Sequence, residues 1–264
     1  MHNNNVIKKY IIGRTAVIRL NRPDSFNAIN MDMAVQLANL LRDISKDPYI
    51  NGLVITGEGK AFCAGGDLKW IINQSDDYYT TFYDIVYQFH KAIIEIHYMK
   101  KPVFAAINGL AAGGGLSLAL ACDFRIIESH AQFILAYTSR GLSIDGGGTY
   151  NLPRLVGVAK SMEIMAFDKP INSWDALELG LVTEVVDQGK SLNRSLELIE
   201  KITQKIPLHA YSICKQLIYE SFGNPLEVQL EKERKAISWC SEHPNGKEGI
   251  LSFLEKRKPV YKVD

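Results

Sequence analysis

The chain has 264 residues, of which 47% are hydrophobic and 22% charged, and this composition excludes disordered, collagen-like and coiled-coil proteins. Lysine and arginine number 30 against 29 acidic residues, and they form no basic stripe, so nucleic acid is not an expected partner. The four cysteines and six histidines lack the paired spacing of a disulfide scaffold or a metal site. We therefore expect no metal and a reducing, cytoplasmic location.

Short apolar and β-branched runs alternate with amphipathic stretches along the first 190 residues. They predict strands at residues 16–20, 53–56, 103–107, 124–127, 133–136 and 181–186. Between them, residues 31–44 and 78–99 repeat apolar side chains at helical spacing. Strands that alternate with helices indicate crossover connections around mainly parallel strands, so the predicted fold class is α/β.

The composition changes near residue 190, since 17 of the 20 glycines precede it. We predict an α/β core over residues 1–190 and a C-terminal helical region over residues 191–264. The helices of this region are expected at residues 191–205, 209–221, 225–240 and 246–256. Such a region packs either on its own core or on a neighbouring subunit, and the sequence leaves both open.

One segment is apolar enough to need comparison with a membrane span. Residues 103–122 are nearly long enough to cross a bilayer. They contain Asn108, Ser117 and four glycines, however, and Pro102 precedes them. A strand, a glycine turn and a buried helix account for this pattern better, so we predict no membrane span.

Glycines concentrate at residues 57–66 (GEGKAFCAGG), 109–115 (GLAAGGG) and 141–148 (GLSIDGGG), each time after a run of strand character. Free backbone N–H groups at such turns, or at the start of a helix, bind anions. The phosphate-binding patterns GxxxxGK[ST] and GxGxxG are absent. Two glycine turns that converge would instead direct two N–H groups at one oxygen, which is the arrangement of an oxyanion hole.

Several longer motifs occur in a defined order: residues 20–30 (LNRPDSFNAIN), 60–69 (KAFCAGGDLK), 101–123 (KPVFAAINGLAAGGGLSLALACD), 131–157 and 247–259 (KEGILSFLEKRKP). Together they resemble the crotonase, or enoyl-CoA hydratase/isomerase, superfamily. The resemblance implies a crotonase-like spiral of ββα repeats with a C-terminal helical trimerisation region. It also implies a homotrimer or hexamer and an acyl-CoA thioester substrate, with coenzyme A arriving as part of the substrate and no other cofactor.

The same resemblance assigns roles to residues of the first two glycine turns. The backbone N–H groups of Gly66 and Gly114 would form the oxyanion hole. The backbone of Ala64 would meet the adenine of coenzyme A, and Lys69 would lie near its phosphates or, alternatively, be a solvated surface lysine. Asp67 is a further candidate substrate-binding residue, although its position before an apolar stretch also suits a helix N-cap or loop anchor.

The catalytic carboxylates differ from those of the hydratase branch. Hydratases of the superfamily carry two glutamates, and the corresponding positions here are Ser117 and Tyr137. Tyr137 is kept as a candidate substrate-binding residue. One carboxylate, Asp145 in GLSIDGGGTY, resembles the aspartate of isomerase, dehalogenase and naphthoyl-CoA synthase branches, and the longer pattern is most similar to the phenylacetate-pathway epoxide isomerase type. A turn-capping role for Asp145 is the alternative.

An aromatic-rich segment follows the first glycine turn. Residues 76–89 carry four tyrosines and two phenylalanines. In the superfamily this region lines the acyl pocket, so the aromatic side chains would suit a ring or a flat polyene. Packing in the core or at a subunit interface is the alternative.

These features lead to one expected activity and several alternatives. We expect an acyl-CoA isomerase that moves a double bond through an oxyanion-stabilised enolate, with Asp145 as the single base. The alternatives are an enoyl-CoA hydratase with non-standard residues, an aryl-CoA dehalogenase or naphthoyl-CoA synthase type of enzyme, and a non-catalytic acyl-CoA-binding subunit.

Overall fold

The computed structural model describes residues 5–262, and within them two sheets are surrounded by helices. The strands are β1 (Ile7–Ile12), β2 (Thr15–Leu20), β3 (Gly52–Gly57), β4 (Ala61–Cys63), β5 (Val103–Ile107), β6 (Leu110–Ala112), β7 (Phe124–Glu128), β8 (Gln132–Ile134), β9 (Ile171–Asn172) and β10 (Glu184–Val186). The helices are α1 (Met31–Lys46), α2 (Leu68–Ile72), α3 (Tyr78–Tyr98), α4 (Gly114–Ala121), α5 (Gly148–Phe167), α6 (Ser173–Glu178), α7 (Ser191–Lys205), α8 (Leu208–Glu220), α9 (Leu226–Glu242) and α10 (Pro244–Leu254).

The chain winds as a spiral in which three successive units each supply one strand to each of two sheets. One sheet has the order β1-β2-β3-β5-β7-β10, and the other has the order β4-β6-β8-β9. The successive units β3-β4-α2/α3, β5-β6-α4 and β7-β8-α5 each contribute two strands and then helix. Neighbouring strands of successive units pair in parallel, with Leu53 opposite Val103 in β3 and β5. The predicted α/β class and spiral of ββα repeats are confirmed.

The central strands carry continuous apolar runs instead of alternating ones, because both faces of the sheet are covered. Every residue of β3 and of β5 is buried, as expected for parallel strands covered on both faces. Helix α1 covers one face and buries Met33, Leu37 and Leu41. Helix α7 covers the opposite face, where Ile199 packs with Val54 and Phe104. The two layers leave the loops at the strand ends free to form a site.

Some predicted elements differ from the observed ones. Strands β4 and β6 lie inside the predicted glycine turns 57–66 and 109–115, because three-residue strands are too short to show a pattern. The predicted strand at residues 181–186 begins only at Glu184, since the N–H groups of Leu181 and Val182 both donate to the carbonyl of Ala176. Strands β1 and β9 were not predicted.

The four C-terminal helices form close to the predicted positions, but they pack in two different ways. Helix α7 belongs to the layer over the larger sheet, whereas α8, α9 and α10 leave large apolar side chains exposed. The boundary predicted at residue 190 therefore marks a change in composition more than a change in packing. Residues 1–4 and 263–264 of the two predicted regions lie outside the described residues.

The apolar segment at residues 103–122 forms the predicted strand, β5, and the predicted buried helix, α4, with the short strand β6 inside the predicted glycine turn. Among residues 5–262 no helix has the length and apolar character needed to cross a membrane.

Candidate active site

The first two glycine turns meet beside the start of α4. A Cβ atom added to Gly65 would lie 3.0 Å from the backbone nitrogen of Gly114, and one added to Gly115 would lie 2.1 Å from the carbonyl oxygen of Cys63. Only glycine permits two backbones to approach this closely. The convergence of residues 64–67 with residues 113–115, which we call the oxyanion turns, therefore follows from the glycines themselves.

The oxyanion turns present two free backbone donors to one cavity. Among residues 5–262, neither the N–H of Gly66 nor the N–H of Gly114 donates to a protein acceptor. Both residues line the same cavity. Gly114 is the first residue of α4, where N–H groups have no partner within the helix and the helix dipole favours negative charge. The two N–H groups can therefore stabilise an oxygen that gains negative charge.

A single carboxylate faces these donors. Asp145 lies on the loop of residues 141–148, which we call the Asp145 loop, and it lines the cavity with Gly66 and Gly114. Its Oδ1 would be 3.7 Å from a Cβ atom on Gly114. The Tyr137 hydroxyl donates to the same Oδ1 at 2.5 Å. Burial raises the pKa of Asp145, while the Tyr137 hydrogen bond and, to a smaller extent, the nearby His90 oppose that rise.

The two residues at the glutamate positions hold Asp145 in place. Ser117 Oγ donates to the Asp145 carbonyl oxygen at 2.9 Å and lies 3.2 Å from the Tyr137 hydroxyl oxygen. Burial raises the pKa of Tyr137 well above its usual range, and the nearby Asp145 charge raises it further. Tyr137 is therefore protonated at neutral pH and acts as a hydrogen-bond donor to the carboxylate.

The Asp145 loop fills the space beside Ser117. A Cβ atom on Gly146 would lie 2.8 Å from Ser117 Cβ, and one on Gly148 would lie 2.9 Å from Ser117 Oγ. The Gly146 N–H donates to His90 Nε2 at 3.1 Å, so that α3 also fixes the loop. His90 could not be predicted from the sequence, because 56 residues separate it from Gly146 and no motif links them.

Asp67 anchors the first oxyanion turn. Its Oδ1 accepts from the Trp70 N–H at the start of α2, and its Oδ2 accepts from Arg22 at 2.7 Å. Arg22 also donates to the Ala28 carbonyl at 2.5 Å. Both carboxylate oxygens are thus bonded within the chain, which is the loop-anchor alternative given for Asp67. The substrate contact of Asp67 stays a prediction.

The two other predicted substrate-binding residues lie at the outer edge of the same turn. Ala64 is half-buried, and its N–H donates to the Phe26 carbonyl at 3.0 Å, which fixes the strand that precedes Gly66. Lys69 is exposed in the first turn of α2. Their contacts with coenzyme A stay predictions.

The aromatic segment divides between the cavity and the surface. Phe82 and Phe89 line the cavity with other apolar side chains of α3, whereas Tyr79, Tyr83 and Tyr87 are exposed. The cavity has a volume of about 30 Å³. A larger cavity of about 870 Å³ lies where α8 meets the ends of α1 and α3, and none of the seven predicted site residues lines it.

Comparison with known proteins identifies the family. Residues 12–264 match the family model described as enoyl-CoA hydratase/isomerase. The chain belongs to the enoyl-CoA hydratase/isomerase family. Members of this family act on acyl-CoA thioesters.

Individual family members include both hydratases and an isomerase. Crotonyl-CoA hydratase of Syntrophomonas wolfei is 35% identical over 246 residues, which cover 93% of each chain. The 1,2-epoxyphenylacetyl-CoA isomerase of Escherichia coli is 33% identical over 248 residues, covering 92% of this chain and 93% of that one. The crystal structure of an enoyl-CoA hydratase from a Polaromonas species superposes with a TM-score of 0.92 at 36% identity, covering 97% of this chain and 99% of that one.

Proposed function

We propose that the protein is an enoyl-CoA isomerase that moves a carbon–carbon double bond with Asp145 as its single base. One observation carries this proposal. The cavity combines two free backbone donors with one carboxylate, and Asp145 is the one titratable side chain among the described residues that line it. A 3-enoyl-CoA thioester is the simplest substrate for such a site.

The reaction needs two proton transfers through one intermediate. The thioester oxygen accepts hydrogen bonds from the N–H groups of Gly66 and Gly114, which makes the protons on carbon 2 more acidic. Asp145 removes a carbon 2 proton, and the electron pair spreads over carbons 2 to 4 and the oxygen as a dienolate. Protonated Asp145 then returns the proton to carbon 4, which leaves the double bond between carbons 2 and 3. Atoms and charge balance without any added reactant.

The surroundings of Asp145 suit this role. A general base works best when its pKa approaches the working pH, and burial raises the pKa of Asp145 in that direction. The Tyr137 hydroxyl holds the carboxylate, and Ser117 holds the backbone of the same residue. A carboxylate held from two sides in a mainly apolar cavity can serve two carbon atoms in turn.

Hydration is the second candidate, because the names of several family members include the word hydratase. Water addition uses one group to activate water and another to deliver a proton. Here the two glutamate positions hold Ser117 and Tyr137, which have no carboxylate. Both side chains form hydrogen bonds with Asp145. A hydratase would have to use Asp145 alone. A dehalogenase or a naphthoyl-CoA synthase type of reaction would require a ring beside Asp145, and a non-catalytic subunit would bind CoA esters without turnover.

The substitution Asp145→Asn tests the assignment of the base. It keeps the size of the side chain and removes its ability to accept a proton, so kcat should fall by roughly 10²–10⁴-fold. Binding of butyryl-CoA should stay within a few-fold of the original protein. Asp84→Asn is the control, because Asp84 is an exposed carboxylate of α3. Full activity in Asp145→Asn would remove Asp145 from the mechanism.

We further propose a homotrimer or hexamer that forms through the apolar faces of α8–α10. The support is the exposure of Ile237, Phe253 and Leu254, with Phe253 81% exposed, since large exposed apolar patches mark interfaces. The proposed reaction needs no metal or redox cofactor, and coenzyme A enters with the substrate. We also keep the expectation of a cytoplasmic location. Light scattering should give a mass equal to three or six chains, and a monomer would contradict this proposal.

A further inference from the structure

The cavity beside Asp145 is narrow and mainly apolar. Its polar groups are the two backbone donors and the carboxylate, and the rest of its lining consists of Ile29, Ile71, Phe82, Ile85, Val86 and Phe89. An apolar cavity needs about 150 Å³ to hold a benzene molecule, whereas a water-sized group needs about 10–15 Å³. The observed volume of about 30 Å³ therefore holds two or three water-sized groups and falls well short of the space that a ring occupies.

The wall formed by Phe89 is fixed by the turns that carry the chemistry. Its side chain is 3% exposed. Its Cε1 atom would lie 3.5 Å from a Cβ on Gly114 and 2.5 Å from a Cβ on Gly146. The ring is thus wedged between one oxyanion turn and the Asp145 loop. Because protein interiors are close-packed, a ring-shaped substrate could displace Phe89 only by moving the groups that perform the reaction.

Phe82 bounds the cavity farther from the oxyanion turns. It lies seven residues before Phe89 on the same face of α3 and lines the same cavity. Seven residues correspond to two helical turns, or about 10 Å along the helix axis. Phe82 is only partly buried, so its ring can be shortened without opening the core around Phe89. Removing it should lengthen the cavity away from Asp145.

We infer that the site takes a short, unbranched acyl group of about four carbons, and that Phe82 and Phe89 set this limit. The inference rests on the proposed function, because it treats this cavity as the acyl site. It also replaces the expectation that aromatic side chains here suit a ring substrate. The relative from Escherichia coli is named for a phenylacetyl substrate, whereas the cavity beside Asp145 has a volume about five times smaller than that of a cavity known to bind benzene.

Equilibrium binding of saturated esters to the full chain tests the size limit without depending on turnover, since saturated esters do not isomerise. The probes are free coenzyme A and acetyl-, butyryl-, octanoyl- and phenylacetyl-CoA. Burying two more methylene groups should make butyryl-CoA bind roughly tenfold more tightly than acetyl-CoA. Octanoyl- and phenylacetyl-CoA should bind at least about tenfold more weakly than butyryl-CoA, because their extra atoms do not fit.

The variant Phe82→Ala should raise the affinity for octanoyl-CoA at least about tenfold relative to butyryl-CoA, since it lengthens the cavity. Phe82→Val serves the same purpose if the alanine variant does not fold. Tyr83→Ala is the matched control: Tyr83 is on the same helix, is 66% exposed and does not line the cavity. This control should keep the original order of affinities.

Three results would overturn the inference. They are equal or tighter binding of phenylacetyl- or octanoyl-CoA by the original protein, an unchanged order in a folded Phe82 variant, and a changed order in Tyr83→Ala. Selective butyryl-CoA binding without isomerase turnover would reject the proposed function and leave the size limit standing. Isomerase turnover with a preference for long or aromatic esters would support the proposed function and reject the size limit.

Discussion

Replacing Tyr137 by phenylalanine removes one hydroxyl group from the surroundings of Asp145. The lost contacts are the 2.5 Å hydrogen bond to Asp145 Oδ1 and the 3.2 Å contact with Ser117 Oγ. The bond from Ser117 Oγ to the Asp145 carbonyl stays available, so the backbone of the Asp145 loop keeps its support. The ring of Tyr137 is buried and fills the same space as phenylalanine. The substitution therefore makes the ionised form of Asp145 less stable, with little change in packing.

The Tyr137→Phe substitution should raise the pKa of Asp145, because the lost hydrogen bond favours the ionised carboxylate. The Tyr137 hydrogen bond stabilises ionised Asp145 and lowers its pKa against the larger effect of burial. Without that bond the pKa rises further, so a higher pH is needed to ionise the base. A hydrogen bond to a charged group is worth about 1.5–3 kcal/mol, and 1.36 kcal/mol corresponds to one pH unit. The acidic limb of the activity profile should move upward by roughly one to two pH units.

The assay is the pH dependence of kcat/KM, which reports the ionisation of the free enzyme. Tyr83→Phe is the control, because it removes an exposed hydroxyl from α3. Its profile should coincide with that of the original protein. Tyr137 and His90 both lower the pKa of Asp145. Comparing Tyr137→Phe, His90→Gln and the double variant therefore separates their two contributions to that pKa. If the acidic limb of Tyr137→Phe stays in place, the Tyr137 hydroxyl does not lower the pKa of Asp145.

Three further substitutions test the site and its support. In Gly114→Ala the new methyl group would lie 3.5 Å or more from its neighbours, so the variant should fold. Its kcat/KM should fall roughly 10²-fold because the methyl group misplaces the substrate, and activity at the original level would contradict this. Ser117→Glu should lower the thermal midpoint and create no hydratase activity, because Gly146 occupies the space; new hydratase activity in a stable variant would show the opposite. Arg22→Met leaves Asp67 without its cation and should reduce the free energy of unfolding by about 1–3 kcal/mol in urea; no change would mean that the pair does not anchor the turn.

The sequence predicted elements best where a pattern is long or continuous. Strand β5 and helix α7 occupy the predicted residues 103–107 and 191–205, because an apolar run and a helical repeat mark each of them. Strands β4 and β6 were missed, since three residues carry no period. Their register depends on pairing with distant strands, which a local pattern does not contain.

The candidate site shows a similar division. The motifs predicted that Gly66, Gly114 and Asp145 act together, and the three line one cavity. The motifs did not predict that Tyr137 donates to Asp145 or that His90 accepts from the loop, because those contacts depend on how α3 and the loop pack. They also did not show which aromatic side chains face the cavity, since the number of aromatic residues says nothing about which face of α3 each one occupies.

Movement of a double bond by one carboxylate can be followed directly in a single experiment. A short-chain 3-enoyl-CoA and the matching 2-enoyl-CoA are offered separately, and the absorbance of the conjugated thioester is followed while proton NMR identifies the product. We expect the absorbance to rise with the 3-enoyl substrate. With the 2-enoyl substrate, we expect no 3-hydroxyacyl-CoA to form. Loss of the 2-enoyl signal with formation of 3-hydroxyacyl-CoA, and no conversion of the 3-enoyl ester, would rule out the isomerase and establish a hydratase that works without the two glutamates.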